Sequence, residues 1–156
     1  MNTSPIDLSS SPPDIQSAED WSLLFQNILV SMDCCTGTLH RVNPETSMLE
    51  LVTQVGIPEE LMPKVQVIPI GKGIAGAAAE RREPVQICNL QTDTSGVARP
   101  DAKKTQVAGS LAVPILEGEK LLGTLGVGKR TPHDFDEAET ETLGKIAHWL
   151  IPLVKP

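Results

Sequence analysis

Hydrophobic residues recur at helical spacing near both ends of the chain. A stripe over residues 15–32 predicts an amino-terminal helix, with Asp14 or Ser17 as its N-cap. A second stripe predicts a carboxy-terminal helix that follows an N-cap at Asp136; its buried positions are Leu143, Ile146, Ala147 and Leu150. Because proline cannot continue the interior of an α-helix, we expect this helix to end at Pro152.

Between the two helices the pattern changes to that of strands. Pairs of apolar segments flank turn-forming residues and predict two hairpins, over residues 35–55 and 110–129. A strand over 85–90, an edge segment over 65–70 and a short glycine-opened helix over 71–82 complete the pattern. Terminal helices around hairpin-connected strands predict an α+β domain built on an antiparallel sheet.

The remaining segments set the domain organisation. Residues 1–13 are rich in serine and proline and contain little to bury, which predicts a disordered tail. Residues 14–156 are then a single domain. Residues 91–106 form a polar connection that is long for a loop, and such loops often act as lids or binding loops.

Composition excludes several classes of protein. The chain has 156 residues and a formal net charge of −7, which argues against nucleic acid as a partner. No apolar run is long enough to span a membrane, and the first residues lack the basic and apolar regions of a signal peptide. Three cysteines do not make a disulfide framework in a chain of this length, which favours a cytoplasmic protein with reduced thiols.

Several short motifs occur in an order that resembles a GAF domain. They are IGKGIAG at 70–76, SLAVPIL at 110–116 and LGTLGV at 122–127, with an Asn-Pro-Glu-Thr turn at 43–46. The resemblance spans essentially the whole folded chain. It implies a GAF/PAS-like antiparallel sheet with the terminal helices on one face and a ligand pocket on the other. The short central helix and the loop after the third strand would roof that pocket.

The resemblance, together with the distribution of charge, indicates which residues would contact a ligand. Residues 72–104 carry six basic and four acidic side chains and form the one positive stretch of an acidic chain. This charge would attract an anionic ligand, but a solvated lid with outward-pointing charges is the simpler interpretation. The predicted ligand contacts are Gly73, Ile74, Ala75, Cys88, Asp93, Arg99, Lys103 and Ser110.

We therefore expect a stand-alone GAF sensory module for signal transduction, which binds a small molecule and works as a homodimer or through a protein partner. In such modules the first and last helices commonly pair across a two-fold axis, so the predicted interface residues are Leu23, Val30, Trp149 and Leu153. No enzymatic activity is expected under this interpretation. The three histidines are scattered, so the sequence predicts no metal site and no cofactor.

Two alternative functions remain open. The fold also resembles that of free methionine sulfoxide reductases, which are GAF enzymes with a nucleophilic thiolate. That pattern places one cysteine where this chain has Ala75 and another in the loop before Ser110, where it has none, so a reductase would have to use Cys88. The other alternative is a structural dimerisation module with a collapsed pocket.

Overall fold

A computed structural model describes residues 4–156, with position 101 described by its backbone alone. Six strands form one sheet in the order β3-β2-β1-β6-β5-β4, and every neighbouring pair is antiparallel. The strands are β1 Thr36–Asn43, β2 Met48–Val55, β3 Val67–Pro69, β4 Val85–Ile87, β5 Ser110–Glu117 and β6 Lys120–Gly128. The helices are α1 Ala18–Met32, α2 Met62–Val65, α3 Gly73–Arg81, α4 Glu137–Trp149 and α5 Ile151–Val154.

The terminal helices pack on one face of the sheet and form the main hydrophobic core with it. The fully buried side chains at this interface include Phe25, Ile28, Leu39, Leu125, Leu143, Ile146 and Leu150. Hydrophobic burial of this kind is the main favourable term in folding. The predicted α+β fold and its arrangement of helices are confirmed by this architecture.

Local capping fixes where the long helices begin. The Ser17 hydroxyl accepts a hydrogen bond from the Asp20 amide at 3.2 Å, so α1 starts at the later of the two predicted caps. Asp136 and Glu139 form a reciprocal capping box at the start of α4. Both amino-terminal boundaries could therefore be predicted from a few neighbouring residues.

The prediction that Pro152 ends the last helix is wrong. Helix α4 ends before Leu150, and Pro152 lies in the first turn of the following helix, α5. Proline is tolerated there because the amide that it lacks would have no intrahelical partner. The chain therefore turns at Leu150, which is fully buried, and continues as a second short helix.

The other face of the sheet is covered by short helices and a long connection. Helices α2 and α3 lie on this side, together with 3₁₀ helices at Glu59–Leu61 and Pro100–Thr105. The predicted polar connection over residues 91–106 therefore contains a helical turn. We call residues 91–106 the roof loop.

The segment before α1 has no helix or strand but touches the domain. Residues 1–3 of the predicted disordered tail lie outside the described residues. The Ile6 amide donates to the Ser31 hydroxyl at 2.7 Å, and the Ile6 side chain packs against the main core. The Trp149 indole donates to the Ser10 carbonyl at 2.6 Å.

No helix within residues 4–156 is long and apolar enough to cross a membrane.

Candidate ligand-binding cavity

A cavity of about 170 Å³ lies between the sheet and the short helices on its second face. Strands β1, β5 and β6 form its floor, while α2, the start of α3 and the roof loop cover it. Its walls are mainly aliphatic; they include Ile57, Leu61, Val65, Ile68, Ile74, Leu90, Ala102, Val107 and Leu111. The volume is close to the roughly 150 Å³ of an engineered apolar cavity that admits benzene.

Glycines on the central strand make a trough along the floor. Thr36, Gly128 and Ser110 pair across β1, β6 and β5 in one row, and the next row is Thr38, Gly126 and Ala112. Residues two apart on a strand point to the same face, so both glycines face the cavity. Because neither has a side chain, the sheet is thin along β6 where the cavity lies above it.

The two trough glycines differ in how much room they leave. A Cβ at Gly128 would lie 2.7 Å from the Thr36 hydroxyl oxygen and 2.8 Å from a Val107 methyl, both too close. A Cβ at Gly126 would meet its nearest neighbour, the Thr38 hydroxyl oxygen, at 3.4 Å, which is ordinary contact. The space above Gly126 is therefore open, whereas the space above Gly128 is taken up by its neighbours.

Three hydroxyl groups border the trough. The side chains of Thr36, Thr38 and Ser110 line the cavity, and none of these hydroxyls bonds to another of the described residues. Thr36 is buried, and the other two are half-buried. Since a buried hydroxyl is normally hydrogen-bonded, these groups offer donors and acceptors to an occupant of the cavity.

The roof loop is held over the cavity by a small apolar cluster. Val97, Ala98 and Ala102 pack against Leu90 and Val107 at the two ends of the loop. The Gln91 side-chain amide also donates to the carbonyls of Lys103 and Val107, at 3.0 and 2.8 Å. These contacts hold the roof loop in place. Its polar sequence alone did not predict this order.

Arg99 joins the roof loop to the neighbouring helices. Its aliphatic stem passes close to Gly73, since a Cβ added at that glycine would lie 3.4 Å from it. Its guanidinium donates a hydrogen bond to the Lys64 carbonyl at 3.3 Å. The side chain lines the cavity and is exposed, so it lies at the opening. Among the described lining side chains, Lys64 and Arg99 are charged, and none is acidic. Arg99 therefore places a guanidinium group at the opening of the cavity.

Five of the eight predicted ligand contacts line the cavity. They are Gly73, Ile74, Ala75, Arg99 and Ser110. Gly73 has a φ of +69°, a conformation that favours glycine and that starts α3 beside the cavity. The structure thus brings the glycine-rich helix start, the roof loop and the first residue of β5 together around one space.

The other three predicted contacts lie away from the cavity. Cys88 follows β4, and its side chain is exposed. The Asp93 carboxylate accepts hydrogen bonds from the amide and hydroxyl of Ser95 within its own loop. Lys103 lies on the exposed side of its 3₁₀ helix. Sequence proximity to the roof placed these residues near the site but did not give the direction of their side chains.

The three cysteines are free thiols in different surroundings. Burial raises the pKa of the Cys34 thiol to about 11, and its sulfur donates to the Met32 carbonyl at 3.4 Å. Cys35 and Cys88 are exposed. None of the three lines the cavity, and residues 4–156 contain no cluster of side chains suited to a metal ion.

A buried polar pair lies in the next row of the sheet. His40 and Thr124 pair across β1 and β6, and each is only 1% exposed. His40 Nε2 lies 2.7 Å from the Val65 carbonyl oxygen, so this side chain connects β1 to the end of α2. Burial lowers the pKa of His40, which favours a neutral ring that donates this hydrogen bond.

The predicted interface residues lie on the opposite side of the domain from the cavity. Leu23 and Val30 on α1 are 36% and 44% exposed. Trp149 and Leu153 are half-buried and pack against the main core. Leu23 and Val30 therefore present apolar surface to solvent. Much of the surface of Trp149 and Leu153 is already covered within one chain.

Sequence reasoning missed the threonines of the floor and the contribution of α2. Thr36 and Thr38 alternate with period two, a signal that could have placed both on the cavity face of β1. No local signal places Leu61, Lys64 or Val65 at the cavity, because their position depends on tertiary packing.

The family model of the GAF domain matches residues 21–149 of this chain. The chain belongs to the GAF domain family. The match covers the sheet, α1 and α4, so the cavity lies within the GAF domain. No curated protein matches the chain significantly.

Solved GAF domains have the same fold at low sequence identity. The GAF domain of a phosphoenolpyruvate-protein phosphotransferase from Coxiella burnetii is 21% identical, with a TM-score of 0.72 over 86% of this chain and 80% of that one. The corresponding Acinetobacter domain is 19% identical, with a TM-score of 0.72 over 94% and 85%. Free methionine-R-sulfoxide reductase from Neisseria meningitidis, solved with its substrate, is 17% identical, with a TM-score of 0.69 over 85% and 74%.

Proposed function

We propose that this GAF domain is a sensory module that binds a small anionic molecule in the cavity under the roof loop. The observation that carries the proposal is the cavity itself, which combines aliphatic walls, hydroxyls without a partner among the described residues, and the Arg99 guanidinium at its opening. Small-molecule sites typically have this composition, with a few polar groups on a mainly apolar surface. In the alternative of a structural dimerisation module with a collapsed pocket, side chains would fill this space.

The preference for an anion depends on Arg99. Its guanidinium bonds to a backbone carbonyl, and it forms no ion pair with a carboxylate among the described residues. A bound anion would give Arg99 a charge-assisted hydrogen bond, which is stronger than a neutral one.

The alternative of a thiol-dependent reductase has weaker support. The Neisseria reductase shares the fold, but a fold alone does not carry an activity. A nucleophilic thiol must reach its substrate, and Cys88 is exposed outside the cavity. Ala75 lines the cavity at the position where the reductase pattern has a cysteine.

We further propose that occupancy is transmitted through the α1 surface to a second copy or to a partner protein. Leu23 and Val30 lie one heptad apart, and both are exposed on α1. Helix α1 also packs against strand β2, whose neighbour β1 supplies the threonines of the cavity floor. A change at the floor would therefore reach the helix through directly packed elements.

Ligand binding is tested by filling the cavity. Gly126→Leu would place an isobutyl group in the open space above Gly126, while Gly144→Leu makes the same change on α4, where a Cβ has no neighbour within 4 Å. Both variants and the unmodified chain are screened by thermal shift against a panel of two- to six-carbon carboxylates and small phosphate esters. Binding is confirmed by native mass spectrometry.

We expect at least one anion to stabilise the unmodified chain and the Gly144→Leu variant, but not the Gly126→Leu variant. Circular dichroism would show that Gly126→Leu is folded. Equal stabilisation of both variants would locate the binding elsewhere. If no compound stabilised the unmodified chain, the sensory function would be refuted for these classes of anion.

A further inference from the structure

The floor of the cavity contains a row of hydrogen-bonding groups, which lie on different elements from the charged side chain at the opening. Thr36, Thr38 and Ser110 border the glycine trough, whereas Arg99 belongs to the roof. An occupant that satisfies both sets must carry its charge at one end and an uncharged polar group toward the other. This separation restricts the chemical class of the ligand.

The volume of the cavity limits the size of that ligand. The 170 Å³ of the cavity is close to the roughly 150 Å³ of the engineered cavity that admits benzene, a molecule with six carbons. A chain of about five or six carbons is of matching size. The aliphatic walls favour methylene groups between the two ends, because their burial removes apolar surface from water.

The charged end belongs at the opening and not on the floor. A carboxylate on the floor would be removed from water with only neutral hydroxyls for partners, which costs more than burying a neutral carbonyl or hydroxyl. At the opening it meets the Arg99 guanidinium and stays partly hydrated. No carboxylate is present among the described lining side chains, so these side chains offer an ammonium group no counter-ion.

We propose that the cavity takes a short oxo- or hydroxy-carboxylic acid of five or six carbons without an ammonium group. Its carboxylate binds Arg99, and its distal oxygen is held by the Thr38 hydroxyl, with Thr36 and Ser110 beside it. Thr38 and Ser110 are then specificity-determining residues for the uncharged end. This inference rests on the proposed ligand-binding function and adds the class of ligand and its orientation.

The test compares matched compounds by isothermal titration calorimetry on the full chain. 5-Oxohexanoate carries both end groups, hexanoate lacks the distal oxygen, and 5-oxohexanamide lacks the charge. Free methionine sulfoxide carries a carboxylate and a distal oxygen together with an ammonium group. Because one hydrogen bond or one ion pair is at stake in each comparison, we expect 5-oxohexanoate to bind roughly tenfold more tightly than each of the other three.

Variants assign each end of the ligand to a residue. Thr38→Val keeps the shape of the side chain and removes the hydroxyl, so it should reduce the preference for 5-oxohexanoate over hexanoate to about onefold. Arg99→Gln should weaken both acids roughly tenfold and leave the amide unchanged. Lys103→Gln, in the same loop but off the cavity, should change neither acid. Ser110→Ala replaces Thr38→Val if the latter does not fold.

Several outcomes would overturn the proposal. They are equal binding of hexanoate and 5-oxohexanoate, tighter binding of methionine sulfoxide, and a preference for 5-oxohexanoate that survives Thr38→Val, or Ser110→Ala where that variant replaces it. If the panel anions bind the unmodified chain but not Gly126→Leu while these preferences are absent, the ligand class is wrong and the sensory function stands. If no anion binds at all, the proposed function itself fails.

Discussion

The two trough glycines allow a direct test of the open space in the cavity, because one methyl group at each position should act in opposite directions. At Gly126 the added methyl would meet its neighbours at 3.4 Å or more. Burying a methyl contributes about 0.8 kcal/mol, and replacing glycine reduces the entropy of the unfolded chain by a further ~0.4–1 kcal/mol. We therefore expect Gly126→Ala to raise the free energy of unfolding by about 1.5 kcal/mol.

At Gly128 the same methyl would lie 2.7 Å from the Thr36 hydroxyl oxygen and 2.8 Å from Val107. Overpacking a buried site of this kind typically costs about 1–3 kcal/mol. After the gains common to both substitutions, Gly128→Ala should be less stable than Gly126→Ala by roughly 2 kcal/mol. Neither glycine has a positive φ, so backbone strain does not enter the comparison.

The assay is urea unfolding followed by tryptophan fluorescence. Trp21 and Trp149 lie on the terminal helices and report global unfolding without touching the cavity. Equal m-values would show that the variants differ in stability and not in the surface exposed on unfolding. If Gly126→Ala were destabilised as strongly as Gly128→Ala, the space above β6 would not be open, and the cavity would be smaller than described.

Three further predictions concern other parts of the fold. Asp136→Ala removes the cap of α4 and should lower the free energy of unfolding by about 1 kcal/mol in urea titrations. Because burial lowers the pKa of His40 below 6.5, the unfolded state binds the proton more readily. Stability should therefore fall as pH drops below about 6.5, and His40→Gln should flatten that slope; an unchanged slope would contradict the assignment. Iodoacetamide at pH 8 should label Cys35 and Cys88 well before Cys34, as peptide mass mapping would show; early labelling of Cys34 would contradict its burial.

The sequence predicted the parts of the fold that depend on local chemistry. The N-cap at Asp136 and the hairpin turns follow from a few adjacent residues, and the structure has them at those places. The end of the last helix was placed wrongly at Pro152. A proline can stop a helix or lie in the first turn of one. Which of the two occurs at Pro152 depends on the turn of the chain at Leu150.

The cavity was only partly predictable because its walls come from distant segments. Gly73 and Arg99 were expected near a ligand, and they lie together at its edge. The contact between Arg99 and Lys64 joins residues 35 positions apart, and no local pattern indicates it. Cys88 was misplaced because the direction of a side chain just after a strand depends on how that strand ends.

The central claim is that the space under the roof loop is where this GAF domain binds its ligand. The most direct measurement is amide NMR on the isotope-labelled chain, titrated with the panel anion that gives the largest thermal shift. We expect the largest chemical-shift changes at Gly73, Gly126 and Gly128. Changes confined to α1 and α4, with those three amides unmoved, would contradict it.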